Sequence, residues 1–225
     1  RVKYSTWLVF VALWVTCAFF PLAHMVSGGG ILSGSEMGWF TSIAKPIDFA
    51  GGTVVHINAG IAGLVLAIVT GRRHGFGSEH MRPHNLPLVM LGAALLWFGW
   101  FGFNAGSAFT ADGLAGLAWV NTTSATAAAI LGWLVVEKLR DHHFTSLGAA
   151  SGTVSGLVAI TPAAGSVGPA GAIAIGAIAG AACAWAVGLK HRFGFDDSLD
   201  VVGVHLMGGL VGTVLIGVFA MDGGL

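Results

Sequence analysis

Two histidines stand in matching surroundings within strongly apolar stretches of this chain. His56 and His205 are each followed by glycine four and seven residues later, and each has an aspartate a turn or two upstream, Asp48 and Asp200. A neutral imidazole both donates and accepts a hydrogen bond. Two facing imidazoles could share one bond and leave their outer edges free for a ligand. The repeat therefore predicts two half-structures that meet at one site.

A buried histidine has other uses, which the sequence leaves open. Each ring could bond a neighbouring carbonyl and only connect two helices. Burial in apolar surroundings favours the neutral ring, and sites between inverted repeats are common in transporters, so the repeated context favours the shared site. Haem held by two histidines is a further alternative, but b-type membrane cytochromes usually need paired histidines on the same helices. Retinal would need a lysine inside a span, and none is there. No cofactor is expected.

An aromatic stretch supplies a second group of residues that could bind a ligand. Trp100, Phe103, Asn104 and Ser107 are spaced to share one helix face. Aromatic rings attract a small cation, and the hydroxyl can accept its N–H. The same stripe could instead be ordinary helix packing with one polar contact. The cation interpretation requires the two histidines to lie beside the stripe.

The remaining polar residues have simpler interpretations. Asp48 and Asp200 stand at predicted helix starts, where a carboxylate caps free N–H groups and can also attract a cation. Trp39, in the predicted outer loop 27–47, could anchor at the membrane interface or cover a pore mouth. Interhelical hydrogen bonds are predicted for five buried polar side chains: Asn58, Asn104, Asn121, Thr122 and Thr161.

Composition defines the elements that must position these residues. The chain is 55% hydrophobic and only 9% charged, whereas soluble domains carry about a quarter charged residues. So few charges cannot cover a water-facing surface, so a lipid bilayer must surround the chain. The 36 glycines suit close helix packing in a bilayer. The formal net charge is zero, without a basic run, so nucleic acid is not expected as a partner.

The hydropathy pattern predicts an all-α membrane helix bundle, with residues 1–225 as one transmembrane domain. Seven stretches are long enough, or nearly so, to cross about 30 Å of hydrocarbon. They run near 5–26, 49–71, 87–109, 115–137, 147–163, 167–189 and 200–221. The fifth and sixth, rich in glycine and alanine, are expected to form a tight hairpin buried among the other helices.

Loop charges predict the orientation. If the first span starts in the cytoplasm, nine of the ten Lys and Arg residues lie on that side, and only Lys45 lies outside. Cytoplasmic loops carry such an excess. The pattern predicts a multi-pass protein of the cell membrane whose chain starts in the cytoplasm and ends outside.

At these motifs the sequence closely resembles the ammonium transporter family (Amt/Mep/Rh), on the bacterial Amt side. The resemblance covers essentially the whole chain, through Pro21–Met25, Asp48–Asn58, Arg82–Pro87, Gly99–Ser107, Gly148–Pro162 and Asp200–His205. It implies an inverted-repeat fold, with eleven helices per protomer of a homotrimer, of which this chain resembles helices four to ten. It further implies transport of ammonium or ammonia rather than enzymatic activity, and a PII-type signalling protein as a partner at the cytoplasmic face.

The resemblance also implies roles for individual residues. His56 and His205 match the twin histidines of the pore, Phe103 the inner ring of a phenylalanine gate, and Trp100 an aromatic of the conducting path. At the outer ammonium site, Ser107 matches the hydroxyl and Asp48 the nearby acid. The remaining matches are Asp200 as the counterpart of Asp48 in the second half, and Val55, Leu96 and Val201 in the apolar pore lining.

One position departs from the family pattern. Ser27 stands where the family usually has a tryptophan that forms one wall of the outer cation site, and the following loop is longer. Either Trp39 replaces that wall or the outer site is weaker. The expected mechanism binds ammonium near Ser107, removes a proton with the help of Asp48 and the histidines, and passes ammonia inward. Alternatives are an ammonium sensor and an Rh-like gas channel.

Overall fold

A computed structural model describes residues 1–33, 46–79 and 81–221. Within these ranges the chain is helical, with one isolated bridge between Val167 and Ala220. The helices are α1 Tyr4–Ser27, α2 Gly52–Thr70, α3 Leu86–Ala108, α4 Gly113–Asp141, α5 Ser146–Ile160, α6 Pro169–Ala186, α7 Leu189–Phe193 and α8 Val202–Phe219. The all-α fold class is confirmed.

Six of these helical stretches are long and apolar enough to cross a membrane. Their positions agree with six of the seven predicted spans to within a few residues. The predicted fifth span, 147–163, corresponds to the shorter α5, which has 15 residues. Helix α5 ends in a turn over 161–167, whose first residues are fully buried. The backbone polar groups of this turn are satisfied inside the protein, so α5 does not need the length of a full membrane span.

Helices α5 and α6 form the predicted hairpin and pack with α4 in the centre of the bundle. Leu157, Val158 and Ile160 of α5 are fully buried, as are Ile175 and Ala179 of α6. Glycines permit this packing. A Cβ on Gly180 would collide with the carbonyl oxygen of Ala129, and Gly176 stands in the same relation to Ala125. The backbones of α4 and α6 are therefore in direct contact.

Gly180→Ala is expected to destabilise the fold by about 2 kcal/mol, because an added methyl group in a packed core forces backbone shifts. The measurement is the thermal unfolding midpoint of the purified protein in detergent. Gly116→Ala is the matched control, since a Cβ there meets nothing within 4 Å and alanine is the better helix former. Equal midpoints for Gly180→Ala and wild type would contradict the contact.

Most of the predicted interhelical hydrogen bonds are present. The Asn104 amide donates to the Thr122 hydroxyl at 3.0 Å. Asn121 donates to the Ala164 and Val167 carbonyls at 2.9 and 2.7 Å, which fixes the turn after α5 against α4. Thr161 accepts from the Trp100 indole at 2.9 Å. The Asn58 amide nitrogen is buried with no partner among the described residues, so that prediction is wrong within this part of the chain.

Charged residues fasten the loop between α7 and α8. Asp196, fully buried, accepts two guanidinium bonds from Arg73 at 2.8 Å each and the Arg73 backbone N–H at 2.7 Å. Arg72 donates to the Gly194 carbonyl at 2.8 Å. The hydrogen bonds from Arg73 are the main reason that the pKa of Asp196 falls from 3.8 to about 2. This loop is thereby tied to the segment after α2.

The depressed pKa of Asp196 predicts a loss of stability in acid. A carboxyl group whose pKa is lower in the folded state stabilises above its unfolded pKa, and that contribution disappears as pH falls through the folded value. Between about pH 4 and about pH 2, wild type should lose on the order of 2 kcal/mol more than Asp196→Asn, since one pKa unit corresponds to about 1.4 kcal/mol. Unfolding midpoints measured in detergent across that range test this. Parallel curves for the two proteins would contradict it.

Candidate pore site

The two histidines lie in contact in the folded protein. Their Nδ1 atoms are 3.2 Å apart, within hydrogen-bond distance, and their ring centroids are 5.3 Å apart. His56 is only 2% exposed, and its Nε2 has no partner among the described residues. His205 is half-buried. The structure thus joins two residues 149 positions apart in sequence, and the free edge of His56 leaves a donor or acceptor for a small ligand.

The repeated glycines explain how the two halves approach each other. Gly60, four residues after His56, lies against Leu206, where a Cβ would be 2.6 Å from the backbone nitrogen. Gly209, four residues after His205, lies in the corresponding place against Ile57, where a Cβ would be 3.0 Å from Cγ1. Each glycine therefore meets the residue that follows the opposite histidine. This reciprocal contact is what a local two-fold arrangement of the halves requires.

Both histidines lie in short π-helical segments, Gly52–Ile57 and Val202–Leu206. In the first segment, the His56 N–H donates to the Gly51 carbonyl at 3.2 Å, five residues back. Gly51 has a φ of 113°, which glycine tolerates and other residues rarely adopt. Single π turns inside α-helices are frequent at functional sites. Nothing in the hydrophobic pattern indicated these turns.

The aromatic stripe lies beside the histidines. Trp100 stacks on His56 with ring centroids 5.4 Å apart and an interplanar angle of 15°, and Phe103 meets His56 edge-on at 6.0 Å. The bond from the Trp100 indole to Thr161 fixes the stacked ring. Asn104 points instead to Thr122. The stripe is therefore divided between a wall of the histidine site and helix packing.

Asp48 caps the first π-helical segment. Its Oδ1 accepts the N–H groups of Gly51 and Gly52 at 3.1 and 2.5 Å. Its Oδ2 accepts those of Thr53 and Val54 at 3.0 and 3.2 Å. A carboxylate with four backbone donors is held firmly and places its negative charge at the positive end of the helix.

In the second half, Asp197 rather than Asp200 performs this task. Asp197 Oδ2 accepts the Val202 N–H at 2.6 Å, and burial raises the pKa of this carboxyl. Asp200 pairs instead with Lys190 at 2.5 Å. The predicted pairing of Asp48 with Asp200 is wrong in this respect. Equal spacing would have identified Asp197, because Asp48 and Asp197 each precede their histidine by eight residues.

A cavity of about 650 Å³ leads to His205 from one end of the bundle. We call it the basic cavity, because three cationic side chains line it together with apolar residues of α3 and α5. Its charged and polar lining consists of Arg73, Arg82, Ser151, Lys190, Ser198, Asp200 and His205. The predicted pore residue Leu96 lines it as well. One member of the histidine pair, His205, thus faces an open cavity.

The remaining candidate residues that the structure describes do not line the basic cavity. Val201 lines a separate cavity of about 640 Å³ between α1 and α2, and Val55 is half-buried beside Gly51. Ser107 lies in the 3-10 turn at the end of α3 and donates to the Phe103 carbonyl at 2.8 Å. Ser27 is exposed at the end of α1. Trp39 falls in 34–45, outside the described residues.

The sequence model of the Ammonium Transporter Family matches residues 1–224. The chain belongs to this family. An ammonium transporter of Mycobacterium tuberculosis (strain ATCC 25618 / H37Rv) is 61% identical over 220 residues, which cover 98% of this chain and 46% of the relative. One from Bacillus subtilis (strain 168) is 50% identical over 222 residues, covering 98% and 52%. The chain thus spans about half the length of these relatives.

Solved structures agree with the family assignment and with the inverted-repeat ammonium transporter fold. Saccharomyces cerevisiae Mep2 superposes with a TM-score of 0.88 at 38% identity, covering 99% of this chain and 48% of its own. A structure titled "Sensor Amt Protein" has a TM-score of 0.81 at 33% identity, covering 93% and 53%. As a member of this family with several membrane-length helices, the chain is a multi-pass membrane protein.

Proposed function

We propose that this chain carries the central part of an ammonium-conducting pore in the cell membrane, with His56 and His205 on the path. The observation that supports this most directly is the histidine pair, in which buried His56 lies 3.2 Å from half-buried His205 and is walled by Trp100 and Phe103. We infer the substrate, ammonium, from the relatives that are named as ammonium transporters. The proposed activity is transport, with no enzymatic step.

In this proposal the species that passes the histidines is ammonia. Moving a bare cation through an apolar bore would cost many kcal/mol of desolvation, whereas neutral ammonia avoids most of that cost. Ammonium binds at the outer mouth, where Ser107 and Phe103 lie, and divides there into ammonia and a proton. The proton crosses separately through the hydrogen bond of the histidine pair, so that one positive charge enters with each ammonia. Ammonia then passes the ring edges, where the unpartnered Nε2 of His56 can exchange a hydrogen bond with it.

Asp48 acts on this path through its field. Both carboxylate oxygens already accept backbone N–H groups, so the acid is poorly suited to take the proton itself. Its negative charge lowers the energy of a cation at the outer mouth. It also holds the segment that presents His56, so one residue serves both structure and recruitment.

The basic cavity is the proposed cytoplasmic exit. This assignment follows from the predicted orientation, in which the chain starts in the cytoplasm and ends outside. Assembly as a homotrimer, and contact with a PII-type signalling protein at the cytoplasmic face, belong to the same proposal. They follow from the family resemblance.

An ammonium sensor is the second candidate function, and the similarity to a structure titled "Sensor Amt Protein" supports it. A sensor would bind ammonium at the same site but conduct little. An Rh-like channel would conduct the gas without net charge.

The test is a flux experiment on the protein carrying this chain, expressed at full length and reconstituted in liposomes. Ammonium addition should evoke an inward current and a pH change that empty liposomes do not show. Ammonium binding without flux would favour the sensor, and flux without current would favour the gas channel. The proposal would be refuted if the protein showed no ammonium binding and no ammonium flux.

A further inference from the structure

Lys190 occupies a central place beneath the second histidine. Its ammonium group donates to the Asp200 carboxylate at 2.5 Å and to the Asp197 backbone carbonyl at 3.3 Å. Only 18% of its side chain is exposed, and it lines the basic cavity together with His205. Lys190 thus contacts the two aspartates that precede the His205 segment Val202–Leu206.

Those two aspartates hold the first turn of that segment. Asp197 accepts the Val202 N–H through its carboxylate at 2.6 Å. Asp200 accepts the Val204 N–H through its backbone carbonyl at 2.8 Å. Lys190 therefore reaches His205 through two parallel paths, each consisting of one aspartate and one backbone hydrogen bond.

The backbone of Asp200 gives a second reason for this arrangement. Asp200 has a φ of 57°, in the left-handed region that non-glycine residues rarely adopt. Such a conformation persists only when the surroundings hold it in place. The ion pair to Lys190 is the side-chain contact that does so.

The two halves of the site differ here. In the first half, one carboxylate accepts four backbone N–H groups. In the second half, the Asp197 carboxylate accepts the Val202 N–H, and Lys190 pairs with Asp200. We propose that Lys190 is a positioning residue for His205, which keeps its Nδ1 in reach of His56 at the exit of the path. This inference rests on the proposed function for its effect on transport, though its effect on geometry stands without it.

Other charges around the cavity do not replace this contact. Arg73 is held by Asp196, and Arg82 lines the cavity beside α3. Lys190→Met keeps the length of the side chain and removes the charge. We expect ammonium flux to fall about tenfold, the lower end of what loss of an outer hydrogen-bond partner costs at metal-bound histidines. Lys190→Arg should restore most of the flux, since it restores the ion pair.

Three further variants separate positioning from general charge and backbone effects. Arg192→Met removes one positive charge from an exposed position of α7 and should leave flux near wild type. Asp200→Asn loses the ion pair but tolerates the left-handed backbone, so it should behave like Lys190→Met. Asp200→Gly relieves the backbone while removing the carboxylate, and should also lose flux.

The direct readout is nitrogen NMR of the histidine rings in lipid, with His56 and His205 assigned by single substitutions. The ring signals of His205 should shift in Lys190→Met and stay in place in Arg192→Met. Unchanged His205 signals in Lys190→Met would overturn the inference, and so would wild-type flux in that variant. Absence of flux in wild-type protein would refute the proposed function instead, and the ring signals would still decide the role of Lys190.

Discussion

Replacing His56 by alanine is expected to reduce ammonium flux about 100-fold, because loss of a positioned group on the path commonly costs that much. The ring supplies the free Nε2 edge, the contact with His205 and the surface on which Trp100 stacks. Alanine removes all three and opens a cavity where discrimination between ammonia and other small species is lost. His205→Ala should act in the same direction.

The flux measurement uses stopped-flow or current recording in liposomes, with ammonium and potassium compared at equal concentrations. His24→Ala provides the matched control, because His24 lies at the exposed end of α1. This variant should conduct ammonium as wild type does. Thermal midpoints in detergent show whether a loss of flux comes from unfolding. If His56→Ala carried ammonium at the wild-type rate, the assignment of the pore to this pair would be wrong.

Asp48→Ala is expected to cause the second large loss, in both stability and transport. Four backbone N–H groups lose a charged acceptor at once. Hydrogen bonds to charged groups contribute about 1.5–3 kcal/mol each; since water reaches some of the freed groups, we expect a net loss on the order of 3 kcal/mol. Flux should fall together with stability, because the His56 segment loses its anchor and the outer mouth loses its negative charge.

The control for this substitution is another capping aspartate. Asp112 accepts two N–H groups at the start of α4 but is exposed, so Asp112→Ala should change the unfolding midpoint only slightly. Asp48→Asn keeps one acceptor oxygen and should fall between alanine and wild type. An Asp48→Ala protein that melts and conducts as wild type does would contradict both roles.

Much of the fold could be predicted from the sequence because the length and apolarity of a membrane-crossing helix can be read along the chain without knowing its tertiary contacts. A helix that crosses hydrocarbon needs a long apolar run, and six such runs mark the membrane-length helices. The fifth was predicted too long, since a buried turn such as 161–167 is as apolar in sequence as a helix end. Whether such a segment continues as helix depends on the partners that satisfy its backbone, Asn121 among them, and these are set by tertiary packing.

The site was predicted in outline but not in detail. The repeated histidine and glycine pattern predicted the contact between the halves, because the glycine four residues after each histidine packs against the residue that follows the other histidine. The π turns were missed because one extra residue per turn leaves no mark on a hydrophobic pattern. The pairing of Asp48 with Asp200 was wrong because three aspartates, Asp196, Asp197 and Asp200, lie close together in sequence, and each meets a different neighbour in the fold.

The histidine contact joins the same atom, Nδ1, on both rings. A hydrogen bond between two such atoms needs one proton and one lone pair, so in the neutral pair one ring is the donor and the other the acceptor. A two-fold axis can relate the backbones of the two halves, but the shared proton is bonded to only one of the two rings, so the hydrogen bond itself is not symmetric. The pair therefore has two tautomeric arrangements with opposite polarity, and whichever is occupied gives a direction to a path built from two similar halves.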